Sequence, residues 1–198
     1  ATGTLTITVT AVNDNPVANA DTATTAEDVA LNNIDVLGND TDVDGDTLSV
    51  TGASAVNGSV TVNPDGTLNY TPNGNFNGTD TISYDISDGN GGTATGTLTI
   101  TVTAVNDAPT VTGQVPLETA EDEPLNLSPA DLTIEDPDNA DPADFVVNVL
   151  AGENYTALGS RVSPDPDFNG QLSVPVQVSD GTDLSEPFAV TIAVAPVN

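Results

Sequence analysis

The stretch TGTLTITVTAVND fills residues 2–14 and recurs letter for letter at residues 95–107, an offset of 93 (residue 107 against residue 14). In the second copy Leu98, Ile100 and Val102 alternate with Thr97, Thr99, Thr101 and Thr103. A period of two sends the aliphatic chains to one face and the threonines to the other, as in a strand that is dry on one side and wet on the other. The β-branched content suits a pleated surface. The spacing therefore predicts a strand at the end of a repeated unit. The copy at residues 1–12 reads as the last strand of a preceding module, and a chain that opens in mid-pattern with no signal peptide reads as a segment of something longer.

Working outward, other landmarks recur at nearly the same spacing. Thr25-Ala26-Glu27-Asp28 answers to Thr119-Ala120-Glu121-Asp122, Phe76-Asn77-Gly78 to Phe168-Asn169-Gly170, and Ser87-Asp88-Gly89 to Ser179-Asp180-Gly181. A degraded third copy, Val190-Thr191-Ile192-Ala193-Val194, leads to Val197-Asn198. Such a period is too long for a solenoid repeat and fits whole domains in tandem. Module one is expected over residues 13–106 and module two over 107–198, with Pro16 and Pro109 stiffening the entries. Further period-two runs are Leu68/Tyr70, Ile82/Tyr84/Ile86 and Leu172/Val174/Val176/Val178; turn signals such as Asn57-Gly58, Asp65-Gly66 and Asn169-Gly170 stand between strands. No stretch carries an apolar 3.6 period. The fold class expected is all-β: two tandem Greek-key β-sandwiches.

Composition narrows the chemistry. Thirty acidic residues face one basic residue, Arg161, for a net charge of -29; Lys, His and Cys are absent. With one basic residue to set against phosphate, nucleic acid and anionic membrane are poor partners, and neither nucleic-acid binding nor membrane insertion is expected. Without His or Cys there is no usual general base, thiolate nucleophile, zinc site or disulfide. No apolar run reaches the roughly 18–20 residues a membrane helix needs. So acidic a chain repels itself unless cations intervene, and hard, oxygen-seeking cations are the ones its carboxylates would take.

The sharpest acidic cluster is Asp40-Thr41-Asp42-Val43-Asp44-Gly45-Asp46. Four carboxylates held close together at alternate positions would repel one another, and a divalent ion reverses that penalty by taking their oxygens as ligands. Adaptable Asp ligands suit calcium better than magnesium, which demands a tight octahedron. The opening resembles an EF-hand loop, but its twelfth position is Thr51 in place of Glu and the flanks are strand-like. A β-roll calcium repeat fails as well, because Asn90-Gly91-Gly92 stands alone. The competing reading is a solvated acidic turn. Module two carries a thinner counterpart, Glu135-Asp136-Pro137-Asp138-Asn139.

Taken in order, these features resemble the cadherin repeat and its bacterial relatives, the cadherin-like and VCBS-type repeats of large calcium-dependent, RTX-type surface adhesins. That pattern has an early acidic residue, a D-x-D loop, a late D-x-G and a junction like D-x-N-D-N-x-P. Glu27 and Glu121 match the first; Asp42 with Asp44 and Asp136 with Asp138 match the second; Asp88 and Asp180 match the third. Asn13, Asp14, Asn15 and Pro16, then Asn106, Asp107 and Pro109, match the junction. There are departures: the first junction Asp is Ala11 and Ala104, the last junction Asn is Ala108 at the second, and the L-D-R-E element has only Asp80 as a substitute, in module one. The resemblance implies Ca2+ at module borders. Glu27, Asp80, Asn106, Asp107, Asp136, Asp138 and Asp180 would serve one border. Asn13, Asn15, Asp42, Asp44 and Asp88 would form the half-site at the start, and Glu121 and Asn198 the half-site at the end.

It further implies a spacer, flexible during export and rigid outside, that projects a distal binding domain from a bacterial cell surface. Its partners would be neighbouring repeats of the same polypeptide, and the chain a monomer. The alternative is a glycan- or protein-binding module using the sandwich loops. Such sites want aromatic platforms, whereas this chain has no Trp, and only Tyr155 stands in a loop-like context. An enzyme is the least supported class, since the Asp residues are arranged as ligand loops and no Ser-His, Cys-His or phosphate-loop motif occurs.

Overall fold

The computed structural model describes residues 2–139 and 141–197. The chain divides into two compact units, Ala1–Val105 and Asn106–Asn198, each considered by itself. The first unit holds β1 (Asp21–Ala26), β2 (Leu31–Ile34), β3 (Ser49–Ser54), β4 (Gly58–Val62), β5 (Leu68–Pro72), β6 (Gly78–Ser87) and β7 (Thr93–Thr103). One sheet runs β1-β7-β6-β3 and the other β2-β5-β4. β1 pairs with β7 in parallel, Asp21 opposite Leu98 through Ala26 opposite Thr103, while β6 and β7 pair antiparallel. A parallel pair cannot be closed by a tight turn, so the intervening strands carry the chain across the second sheet and back.

The period-two runs become the inner faces. Leu68, Tyr70, Ile82, Tyr84, Ile86, Leu98 and Ile100 are fully buried, and Val102 nearly so. Each such side chain contributes roughly 1.5–3 kcal/mol by leaving water. The identical sequence in residues 2–12 has another fate. It forms no strand, and Leu5, Ile7 and Val9 are 82%, 75% and 88% exposed.

The second unit holds β8 (Thr110–Gln114), β9 (Leu117–Ala120), β10 (Leu125–Asn126), β11 (Leu132–Glu135), β12 (Val146–Val149), β13 (Tyr155–Leu158), β14 (Arg161–Pro164), β15 (Gly170–Ser179) and β16 (Phe188–Ala195). Its main sheet is β12-β15-β16-β9, with β16 and β9 parallel like β7 and β1; β10-β14-β13 and β8-β11 cover the core. Leu172, Val174, Val176, Val178, Val190 and Ile192 fill that core. Tyr155 is no loop residue: it opens β13, is buried, and its hydroxyl donates to the Leu150 carbonyl at 2.7 Å. Phe76 and Phe168 pack against their respective cores, as the repeat suggested. No helix among the described residues is long and apolar enough to cross a membrane.

Candidate metal centres

Each unit draws its entry segment onto two loops, and does so with the same two bonds. In the first unit the Asn13 side-chain amide donates to Asp88 Oδ2 at 2.7 Å, and the Asp14 backbone N–H donates to Asp44 Oδ2 at 2.8 Å. In the second, the Asn106 amide donates to Asp180 Oδ2 at 2.8 Å, and the Asp107 N–H to Asp138 Oδ2 at 2.8 Å. The residues matched through sequence order are thus matched in space.

The loops form for local reasons. Asp42 turns back to accept N–H bonds from Asp44 and Asp46 at 2.8 and 3.4 Å, with Gly45 supplying the left-handed φ of 79° that the turn requires. Asp136 does likewise with Asp138 and Asn139. Asp88 accepts from the N–H groups of Asn90 and Gly92. Gly92 is there of necessity: a Cβ would stand 2.1 Å from Asp88 Oδ2 and 3.1 Å from Asn15 Cα. Asn15 itself is exposed beside this loop. The Asn13 amide, with the loop N–H groups, holds the Asp88 carboxyl below its ordinary range; the Asp183 N–H, then Asn106 and the Thr182 N–H, do the same for Asp180.

Among the described residues one group of three carboxylates brings an oxygen from each within 4.8 Å of the others: Asp42, Asp44 and Asp46. Asp40, its neighbour in sequence, faces elsewhere and accepts the Asn19 N–H at 2.7 Å. Asp46 is one member the candidate set did not include, although the D-G-D run displays it. Asp183 is another: its Oδ2 shares the Asn106 amide with Asp180, at 2.9 Å.

At the opposite end of the first unit Glu27 follows β1. Its N–H donates to the Thr103 carbonyl at 2.9 Å and its Oε1 accepts the Val105 N–H. Glu121 repeats this with Ala195 and Val197, at 2.9 and 2.7 Å. Asn198, assigned to that end by sequence, lies outside the described residues. Asp80 is not brought into this group. It sits on β6 opposite Ile100, three residues before Thr103 on β7, and is buried. There it accepts the Tyr70 hydroxyl and the Asn57 N–H at 2.9 Å each, and the Thr81 N–H at 2.9 Å. Its lone pairs serve the fold, pinning the β3–β4 turn to β5 and β6.

Whether these ends suit a cation is tested by their unpaired atoms. Among the described residues three buried side-chain oxygens have no hydrogen-bond partner: Glu27 Oε2, Asp40 Oδ2 and Asp42 Oδ2. Buried polar atoms are almost always paired, and an unpaired carboxylate oxygen costs more than a neutral one. Glu27 is only 3% exposed, so water does not readily supply the missing partner. Hard oxygens, several per loop and with some lone pairs open, form a donor set that fits Ca2+.

Residues 13–101 match the Bacterial Ig domain family, and residues 105–195 match the Cadherin-like domain family. No curated protein matches the chain in sequence. Among solved structures, mouse Cadherin-23 EC22-24 is 15% identical with a TM-score of 0.58, covering 93% of this chain and 65% of its own. The extracellular cadherin domains 1-5 of Protocadherin Gamma B2 are 15% identical with a TM-score of 0.51, covering 94% of this chain and 40% of their own. An endo-fucoidan hydrolase of glycoside hydrolase family 107 is 19% identical over 93% of this chain and 29% of its own, but its TM-score of 0.38 carries no argument. The chain thus spans less than two thirds of each of these proteins. At such identities the likeness establishes the cadherin-like, Ig-like fold and nothing finer.

Proposed function

We propose that the chain is a calcium-stiffened extender segment of a secreted bacterial surface adhesin, projecting a distal binding domain and partnered by neighbouring repeats of its own polypeptide. The observation that carries this reading is the tethering of the linker. Val105 is held by Glu27 of the first unit, and the very next residues, Asn106 and Asp107, are held by Asp180, Asp183 and Asp138 of the second.

Bound calcium supplies positive charge, which makes clustered carboxylates mutually attractive through the ion. Glu27 would hold it at one end of the first unit; Asp42, Asp44, Asp46 and Asp88, with Asn13 and Asn15, at the other. Asp136, Asp138, Asp180 and Asp183 would hold it in the second unit, with Glu121 at that unit's far end. Without the ion the same carboxylates repel, and the linker tethers rest on single hydrogen bonds worth about 0.5–1.5 kcal/mol each, or up to about 3 to a charged group. Extracellular modules bind calcium at roughly 10⁻⁴–10⁻³ M, so such sites fill outside the cell and empty in cytosol. Small-angle scattering of the chain in calcium and in chelator tests the proposal. Calcium is expected to lengthen the maximum dimension and narrow the distribution of conformers; identical curves would sink the stiffening role.

A further inference from the structure

We infer that the two units take up calcium unequally, the aspartate loop of the first unit filling before that of the second, and that Asp46 sets it apart. This rests on the calcium reading above. The two entry ends place their carboxylates differently: Asp42, Asp44, Asp46 and Asp88 in the first, Asp136, Asp138, Asp180 and Asp183 in the second. The difference lies in where the fourth stands. In the first unit it is Asp46, within the D-x-D loop itself, where three carboxylates converge within 4.8 Å. In the second it is Asp183, in the late loop, already sharing the Asn106 amide with Asp180 at 2.9 and 2.8 Å.

The open lone pairs differ in the same direction. Asp42 Oδ1 takes two backbone N–H bonds, but its Oδ2 is buried and unpaired. Asp136, in the matching place, has the Asn139 side-chain amide 3.5 Å from both of its oxygens, in addition to backbone N–H bonds from Asp138 and Asn139. The residue that answers to Asn139 in the first unit is Gly45, which has no side chain to donate. A cation entering the first loop relieves repulsion among three carboxylates and satisfies an orphaned oxygen. One entering the second must displace an amide that already serves its aspartate. Convergence of the carboxylates decides the order.

The test is a calcium titration of the full chain, labelled with ¹⁵N and stripped of metal, followed through the amide signals of Asp44 and Gly45 against those of Asp138 and Asn139. The first pair is expected to shift at lower calcium. Asp46→Asn should raise that midpoint about thirtyfold, the effect of one unit charge lost roughly 4 Å from a divalent ion in watery surroundings, and leave the second midpoint in place. The metal-free spectrum reports whether the variant is folded. Coincident midpoints in the parent chain, or an unmoved first midpoint in folded Asp46→Asn, would overturn this inference and leave the calcium reading standing. No shift in either loop up to about 10 mM, an order of magnitude above the weak end of extracellular sites, would overturn both.

Discussion

Replacing Glu27 with Gln should stabilise the first unit in chelator and destabilise it, relative to the parent chain, in calcium. The side chain is 3% exposed, its Oε1 is occupied by the Val105 N–H, and its Oε2 has no partner. An ionised oxygen left unsatisfied away from water costs about 1–3 kcal/mol, more for a charge. Gln keeps the acceptor for Val105 and removes the charge, although its new amide N–H groups also need partners and take back part of the gain. In chelator a net rise of about 1 kcal/mol is expected, which for a domain of this size raises the melting temperature by about 4–8 °C. In calcium at a hundred times the dissociation constant, the parent chain gains about 2.7 kcal/mol by linkage. The variant, short of an anionic ligand, forfeits most of that, so the order of stabilities inverts. Urea unfolding followed through emission of Tyr70 and Tyr84, both fully buried in the first unit, reads the difference in each buffer. The same change in both buffers, whatever its sign, would show that the Glu27 charge serves no calcium ion, and the reasoning would fail.

Two further outcomes follow from single environments. Ile100→Ala should cost about 2–5 kcal/mol, because the residue is fully buried, whereas Ile7→Ala, in the same sequence but 75% exposed, should stay within about 0.5 kcal/mol; denaturant midpoints of the two variants check this. The entry tethers should fail in acid. Asp88 and Asp180 are held below the ordinary aspartate value of 3.8, so in metal-free protein the stability they confer is complete above that value and is lost as pH falls through their lower folded pKa values. Asn13→Ala, which removes the largest cause at Asp88, should move its carboxyl titration back toward 3.8 by NMR and leave Asp180 in place.

Much of this was legible in the residues. Alternation identified the inner faces of β5, β6, β7 and β15, because a strand's side chains obey a fixed period of two whatever surrounds them. The repeat itself aligned Asn13 with Asn106 and Asp44 with Asp138, and the paired bonds they make follow that alignment. Carboxylate roles were less legible. Asp80, Glu27 and Asp40 are alike on paper, yet Asp80 is satisfied by Tyr70 and backbone N–H groups while Glu27 and Asp40 each keep an oxygen unpaired. Nor does the run from Asp40 to Asp46 say that Asp40 turns to Asn19 while the other three converge. Which donors a buried oxygen meets depends on strands distant in sequence.

The amino-acid sequence by itself determined the strand periods, the two-module division and the stock of hard oxygen ligands, all properties of local pattern and composition. The tertiary structure decided what each pattern does, and the thirteen-residue repeat is the plainest instance. Leu98 and Ile100 are sealed between β1 and β6, and Leu5 and Ile7 lie in water. Their local propensities are identical. What separates them is the presence of two neighbouring strands, which complete the backbone hydrogen bonds and remove apolar surface from solvent, and an isolated strand can supply neither for itself.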